Sequence, residues 1–382
     1  AAGALYSAAL ILKLMFPEVS LSVFIIIFAI LAASYTIPGG LSAAINAELI
    51  QAIILIVGSI VLTVVCFASG GAEYLGDLMA SGDIAMKLIR PLTDSSTPWL
   101  GLIVGMPVLG IYFWANNQTL VQRVLSAKTL DAGRKGVMFA GFLTLTTLLL
   151  FNCPGVIARK FFPGMDNPDM VYPRLVIDLL PAGLLGLMLS AMLAALTSTL
   201  SAILNSTSTL FTMDFYAKMD KNASQKKLVW VGKIAALVII IIAAIWAPYI
   251  EKFGSLLKYY QEMLSYISPP IVATFLMGIF CRRTNATGAF SGLLAGLAMA
   301  VAMLIWRDAI FGDMHFLFIV PILLVFSMTI IYVVSVFTGR PDPSKLQDTT
   351  FTMADFRQET IALKQVRWWN NYRYMGLALV II

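Results

Sequence analysis

Residues 175–212 read LVIDLLPAGLLGLMLSAMLAALTSTLSAILNSTSTLFT, a run whose one charged residue, Asp178, stands near its start. A helix crossing a bilayer needs about 20 apolar residues. The run is too long for one simple crossing, so it is either strongly tilted or extends beyond the membrane. Similar apolar windows fall near 1–16, 20–38, 46–69, 98–121, 135–158, 229–247, 255–280, 286–306, 315–338 and 373–382. The whole chain fits that pattern. Its 382 residues are 59% hydrophobic and 12% charged, whereas a soluble domain carries roughly a quarter charged residues. With a mean hydropathy of +0.87, the composition excludes a soluble enzyme, and the bilayer is the solvent. At roughly 30–40 residues per helix and loop, the length allows about ten crossings.

The loops set the orientation, because Lys and Arg concentrate on the cytoplasmic side. One set of alternate loops holds 16 of the 26 basic residues, among them Arg123, Lys128, Lys218, Lys226, Arg282 and Arg340. The other set holds nine, and Lys233 sits inside a window. The richer set is cytoplasmic, so the first window runs outward. The net charge of +6 is too small and too scattered for a nucleic-acid partner. The connections 70–97, extracytoplasmic, and 339–372, cytoplasmic, are too short to be soluble domains. The chain begins and ends within apolar segments, which reads as a piece of a longer protein lacking an N-terminal portion and a few C-terminal residues.

Polar groups inside hydrocarbon are costly and mark candidate sites. Within the opening run, Ala195, Ser198 and Thr199 stand at i, i+3 and i+4, on one helix face. Two hydroxyls and a carbonyl form a partial shell for a small hard cation, while small hydroxyl residues also let membrane helices pack closely. Asn205 to Thr209 extend the same cluster. Trp114-Ala-Asn116-Asn117-Gln118-Thr119 either lines a polar pathway or caps a helix leaving the membrane. Gln261, beside Glu262, can donate and accept, which suits an uncharged polyhydroxyl ligand. Tyr259 and Tyr260 offer flat faces for a sugar ring, or form an interfacial aromatic belt with Lys258. Glu48 either biases a cation route or sits in the cytoplasmic interface. Asp178 and Asp214 read as interfacial charges or caps, and His315 as an interfacial residue.

The chain carries no phosphate loop, nucleophile elbow or Cys-x-x-Cys. Cys66, Cys153 and Cys281 give no disulfide framework and no metal spacing, and a single histidine excludes a multi-histidine centre. The reading is a carrier driven by a gradient, not an enzyme and without a cofactor, with a channel or sensor as the competing class.

Four segments together resemble the sodium/solute symporter family, in its sodium/glucose cotransporter branch. They are Gly39-Gly40-Leu41-Ser42-Ala43; Asn117-Gln118-Thr-Leu-Val-Gln122-Arg123; the run from Ser198 to Ser206 that ends in Leu210-Phe-Thr-Met-Asp214-Phe-Tyr216; and Cys281-Arg-Arg-Thr-Asn285-Ala-Thr-Gly288-Ala-Phe290. The likeness covers almost the whole chain in order. It implies an all-α polytopic fold, with a five-plus-five inverted-repeat (LeuT-like) core and extra C-terminal helices, working by alternating access. On that map residues 1–382 are one transporter domain that starts in the third core helix, with the first core helices missing.

The resemblance implies sodium as coupling ion at Ala195, Ser198 and Thr199, with Ser201 contributing to a second sodium site. Glu48 falls where many relatives have Asp, a position implicated in cation coupling. For substrate it implies Gln261 as a hydrogen-bonding residue, and Trp114 is retained. Thr144 stands where several galactose and glucose carriers have Lys, and Gly110 where a bacterial relative has Asn. Phe113 replaces a gating Tyr, and Leu257 falls at a second gating position. The implied function is sodium-coupled symport of a sugar or related neutral polyol across the cell's inner or plasma membrane. The alternatives are another solute, such as an inositol, an amino acid or a carboxylate, or a sugar-gated sensor or channel.

Overall fold

The computed structural model describes residues 1–382 except 40, 84, 85, 88, 95, 166, 307, 308, 310, 311, 313 and 348, and the side chains of 35, 38–48 and 345. Glu48 and the Gly39–Ala43 motif therefore lie outside the described residues. In chain order the α-helices of six residues or more are α1 (Ala2–Met15), α2 (Leu21–Gly39), α3 (Leu41–Cys66), α4 (Ala72–Ser81), α5 (Trp99–Val104), α6 (Met106–Ile111), α7 (Gln118–Leu125) and α8 (Leu130–Thr147). They continue with α9 (Cys153–Phe161), α10 (Val171–Leu179), α11 (Ala182–Leu210), α12 (Gln225–Trp246), α13 (Leu256–Phe280), α14 (Ala286–Ile305), α15 (Phe316–Phe337), α16 (Met353–Leu363) and α17 (Tyr372–Ile381). Among the described residues, eight helical segments are long and apolar enough to cross a membrane. The windows at 1–16, 20–38 and 373–382 give shorter apolar stretches of 10–17 residues.

The run that opened the sequence reading is neither one tilted helix nor one overlong one. It breaks at Leu180–Pro181, whose backbone is extended. Proline disfavours the helical conformation of the residue before it and is well placed just ahead of a new helix. The 29 residues of α11 then span about 43 Å at 1.5 Å per residue.

Three other windows are interrupted by π-helical turns, at Phe67–Gly71, Tyr112–Asn116 and Leu148–Asn152, and a fourth such turn, Phe211–Tyr216, follows α11. Such turns re-aim the side chains that follow and cluster at functional positions. The 70–97 connection is not wholly irregular, since it contains α4, and Asp83 beyond that helix takes both terminal nitrogens of Arg159 at 3.3 Å. In the same way, α16 lies within the 339–372 connection.

The chain divides into two compact units, Ala1–Met86 with Leu143–Tyr259, and Lys87–Phe142 with Tyr260–Ile382. In the first, α11 is the central post. One flank packs Leu200 and Leu204 against Leu5 and Tyr6 of α1, Phe24 and Phe28 of α2, and Ile240 of α12. The other packs Met188 and Leu189 against Leu62 of α3, Ile157 of α9 and Leu175 of α10. Asp169, ahead of α10, accepts the Leu256 N–H at 2.8 and 3.0 Å and so closes the start of α13. Burial raises its carboxyl above the ordinary range, and the Leu256 N–H partly offsets that rise.

In the second unit, α14 and α15 meet along a seam of glycines. A β-carbon at Gly288 would fall 2.0 Å from Ser335 Oγ, one at Gly292 2.1 Å from Ile331 Cγ1, and one at Gly296 2.3 Å from Ser327 Oγ. Spacing small residues by four lets two membrane helices approach to backbone contact. Asn285 ties off the seam. Its Oδ1 accepts the Gly288 N–H at 2.8 Å, and its Nδ2 donates to Thr338 Oγ1 and Gly339 O, both at 2.8 Å. In the same unit, Glu359 of α16 bridges Arg134 and Arg373, each at 2.5 Å.

Candidate functional site

Hydroxyl groups in an apolar helix must find an acceptor, and the carbonyl one turn back is always within reach. Along α11 this happens repeatedly. Ser190 Oγ donates to Gly186 O at 2.7 Å and Thr207 Oγ1 to Ile203 O at 2.8 Å. At Ala195 two hydroxyls converge on one carbonyl: Ser198 Oγ donates at 3.0 Å and Thr199 Oγ1 at 2.8 Å. Three oxygens thus share one patch of helix surface, with Ser198 half-buried and Thr199 exposed. Each hydroxyl has one hydrogen and two lone pairs. With the hydrogen committed to Ala195 O, the lone pairs remain for a hard cation. Ser201, two residues on, is buried at 2% exposure.

The same pattern recurs ten residues later. Ser208 Oγ and Thr209 Oγ1 donate to Asn205 O at 3.3 and 2.7 Å. The spacing that marks Ala195-x-x-Ser198-Thr199 is legible again in Asn205-x-x-Ser208-Thr209, where Asn205 adds a side-chain amide.

The remaining sequence-predicted residues are divided between the two units. Thr144 on α8 is exposed, and Leu257, in the first turn of α13, is 66% exposed. In the second unit, Phe113 and Trp114 lie within the π turn at Tyr112–Asn116, their rings edge to face at 5.6 Å. Asn117 N–H closes that turn on Tyr112 O at 2.9 Å. Gly110 precedes it, and among the described residues a β-carbon there would meet nothing within 4 Å outside its own helix. Gln261 is half-buried on α13, and its carbonyl accepts Ser265 Oγ at 2.6 Å.

Several of the other polar residues make local contacts. Asn117 is a helix cap, its Oδ1 accepting Thr119 N–H at 3.0 Å. His315 caps α15 through Nδ1, 3.3 Å from Leu317 N. Asp178 pairs with Arg174 at 2.7 Å and Asp214 with Lys218 at 3.5 Å. Tyr259 receives Trp246 Nε1 at 3.0 Å, which makes it an aromatic contact within the first unit. Asp169, ahead of α10, and Thr36 on α2 stand in no recognisable local spacing, whereas Thr212 lies within the Leu210–Tyr216 motif without being marked there as a site residue.

The architecture is that of a multi-pass helical membrane protein with a LeuT-like fold. A solved structure of a Na+-coupled sialic acid symporter, in a substrate-bound outward-open state, superposes with a TM-score of 0.69 at 21% identity, over 89% of this chain and 72% of that one. At that identity the likeness speaks for the fold alone. The description "Sodium:solute symporter family" matches residues 1–296, and the chain belongs to that family. It is 33% identical to the sodium/myo-inositol cotransporter 2 of Rattus norvegicus, over 94% of this chain and 60% of that protein. It is 34% identical to the sodium/glucose cotransporter 1 of Sus scrofa, over 94% of this chain and 62% of that protein. The chain spans about 60% of the length of these curated relatives.

Proposed function

We propose that the protein is a sodium-coupled symporter of a neutral polyol or hexose in the cell's inner or plasma membrane, and that residues 1–382 are part of one transporter domain. The observation that carries the reading is the convergence of the Ser198 and Thr199 hydroxyls on Ala195 O, an oxygen patch suited to a small hard cation. Ser201 is assigned to a second sodium position and Glu48 to cation coupling. For the solute, Gln261 supplies a group that donates and accepts, Trp114 and Phe113 supply flat faces, and Gly110 and Thr144 leave room without a charge. An anionic substrate would call for a basic partner, and Thr144 stands where one would serve. The names of the relatives, which carry glucose and myo-inositol, favour the same solute class. Phe113 and Leu257 are assigned to the gates.

Sodium and solute then favour the same conformation, so each raises the other's affinity by one common factor. The membrane potential adds about 2.3 kcal/mol per charge per 100 mV. Uptake of labelled glucose, galactose, myo-inositol and sialic acid by the full-length protein in proteoliposomes, with and without a sodium gradient, tests this. Sodium-dependent uptake of a neutral member is the expected result. Uptake indifferent to sodium, or confined to sialic acid, overturns it.

A further inference from the structure

The 339–372 connection runs from the end of α15 to the start of α17, and its helix α16 is fastened to the ends of three other helices. Phe351 N–H, just ahead of α16, donates at 2.9 Å to the carbonyl of Ile279, one residue short of the α13 end. The Phe351 ring packs on Phe280 at 5.8 Å. Glu359 takes Arg134, near the start of α8, and Arg373, near the start of α17. Arg373 Nη1 also donates to Thr360 Oγ1 at 2.6 Å. These contacts fix the level of α16 within the second unit. It lies at the rim of the helix ends that the loop charges assign to the cytoplasm, where the headgroup layer begins.

One face of α16 does the holding. Phe356, Glu359, Thr360 and Leu363 stand there at i, i+3, i+4 and i+7, with the Arg373 guanidinium 4.1 Å over the Phe356 ring. A second face carries Met353, Arg357, Ile361 and Lys364, which fall within about 80° of one another at 3.6 residues per turn. All four are exposed, Ile361 at 64%. The two faces stand about a quarter-turn apart, as they must on a helix that lies in the membrane plane with its flank on the bundle. The exposed series continues past the helix. Val366, Trp368 and Trp369 are open, Trp368 at 69%, and Arg367 stacks 5.4 Å from the Trp369 ring. It runs on in α17 through Tyr374, Leu377 and Val380. Tryptophan settles at the headgroup level, and a helix with apolar and basic residues on one side lies in that layer when the lipid is anionic. The charges agree. Of the two acids between Thr349 and Asn371, Glu359 is held by two arginines, and Asp355 caps α16 with Thr352. Arg357, Lys364 and Arg367 are exposed, as are Arg282 and Arg283 just beyond the α13 end that Phe351 joins.

We propose that the second face of α16, with the Val366–Trp369 segment, docks on the cytoplasmic leaflet and selects anionic phospholipid there. Ile361 and the two indoles sit at the headgroup level, and Arg357, Lys364 and Arg367 meet lipid phosphates. The test places the full-length protein in phosphatidylcholine liposomes with a rising fraction of dibrominated phosphatidylglycerol or dibrominated phosphatidylcholine. Bromine quenching of Trp368 and Trp369 is read as the difference between wild type and a Trp368→Phe/Trp369→Phe variant. One basic residue near an anionic surface is worth about fivefold in lipid binding. Half-quenching is therefore expected at about fivefold less brominated phosphatidylglycerol than phosphatidylcholine, or at a lower fraction still. The Arg357→Gln/Lys364→Gln/Arg367→Gln variant should erase that difference. The charge-keeping Arg357→Lys/Lys364→Arg/Arg367→Lys variant should retain it. Equal quenching of wild type by the two lipids overturns the proposal, and so does a preference that survives in the glutamine variant. Quenching by neither lipid, with both indoles open to iodide, would turn this face to a cytoplasmic protein and overturns it as well.

Discussion

Replacing Ser198 with alanine separates an ion site from a packing seam, because the two roles predict opposite results. If the hydroxyl serves only the helix, its bond to Ala195 O at 3.0 Å is a local back-bond. Removing such a bond leaves helix stability unchanged or slightly improved. If it serves sodium, one of three oxygens in the patch disappears. A polar contact to a charged group is worth about 1.5–3 kcal/mol, and 1.4 kcal/mol is tenfold in an equilibrium constant. Half-saturating sodium for uptake should therefore rise about 10- to 100-fold. Ser190→Ala is the matched control, since Ser190 makes the same kind of bond, to Gly186 O at 2.7 Å on the same helix, away from the patch. It should leave sodium dependence as in wild type. Thr199→Ala should resemble Ser198→Ala, and the double variant should lose less than the two separate losses together, because both hydroxyls share Ala195 O. The assay is initial-rate solute uptake in proteoliposomes against external sodium at matched protein content. A half-saturation value for Ser198→Ala within twofold of wild type and of Ser190→Ala would refute the cation assignment and leave the hydroxyls as packing.

Three further outcomes follow from other contacts. Gly292→Ile inserts a branched side chain where a β-carbon alone would lie 2.1 Å from Ile331 Cγ1; overpacking of this kind costs about 1–3 kcal/mol, read as a lower thermal midpoint in detergent, while Gly183→Ala, where a β-carbon meets nothing within 4 Å, should leave the midpoint near wild type. Phe113→Tyr returns a hydroxyl beside Trp114; one added neutral hydrogen bond is worth about 0.5–1.5 kcal/mol, so the solute's half-saturation constant should fall about two- to tenfold with sodium dependence unchanged. For Glu359, burial alone would raise the carboxyl, but Arg373, Tyr372 and Arg134 outweigh it and hold the group below its ordinary range. Its contribution is thus present above the ordinary carboxylate pKa and lost as pH falls through the lower folded value. Glu359→Gln should lower the midpoint at neutral pH and flatten its fall on acidification, as followed by melting curves from pH 7 down to pH 3.

What could be read from the sequence was whatever physics acts along one helix. The hydroxyls of Ser198 and Thr199 meet at Ala195 because a helix brings i, i+3 and i+4 together, so their convergence was legible before any neighbour was placed. The break at Pro181 was equally local, yet hydropathy averages over it, and so the 175–212 window hid a helix boundary. What acts between helices was not legible. Gly288, Gly292 and Gly296 are ordinary small residues until Ser335, Ile331 and Ser327 are set against them. Lys233 is a lone charge in its apolar window, and only the fold sets it in one cavity lining with Thr36, far away in the chain. The distinction bears on how each assignment should be tested. A site written along one helix, such as Ala195–Thr199, can be challenged by single substitutions with a same-helix control. A site assembled from several helices needs variants on at least two of them, because one substitution cannot separate loss of a ligand contact from loss of the packing that forms the cavity.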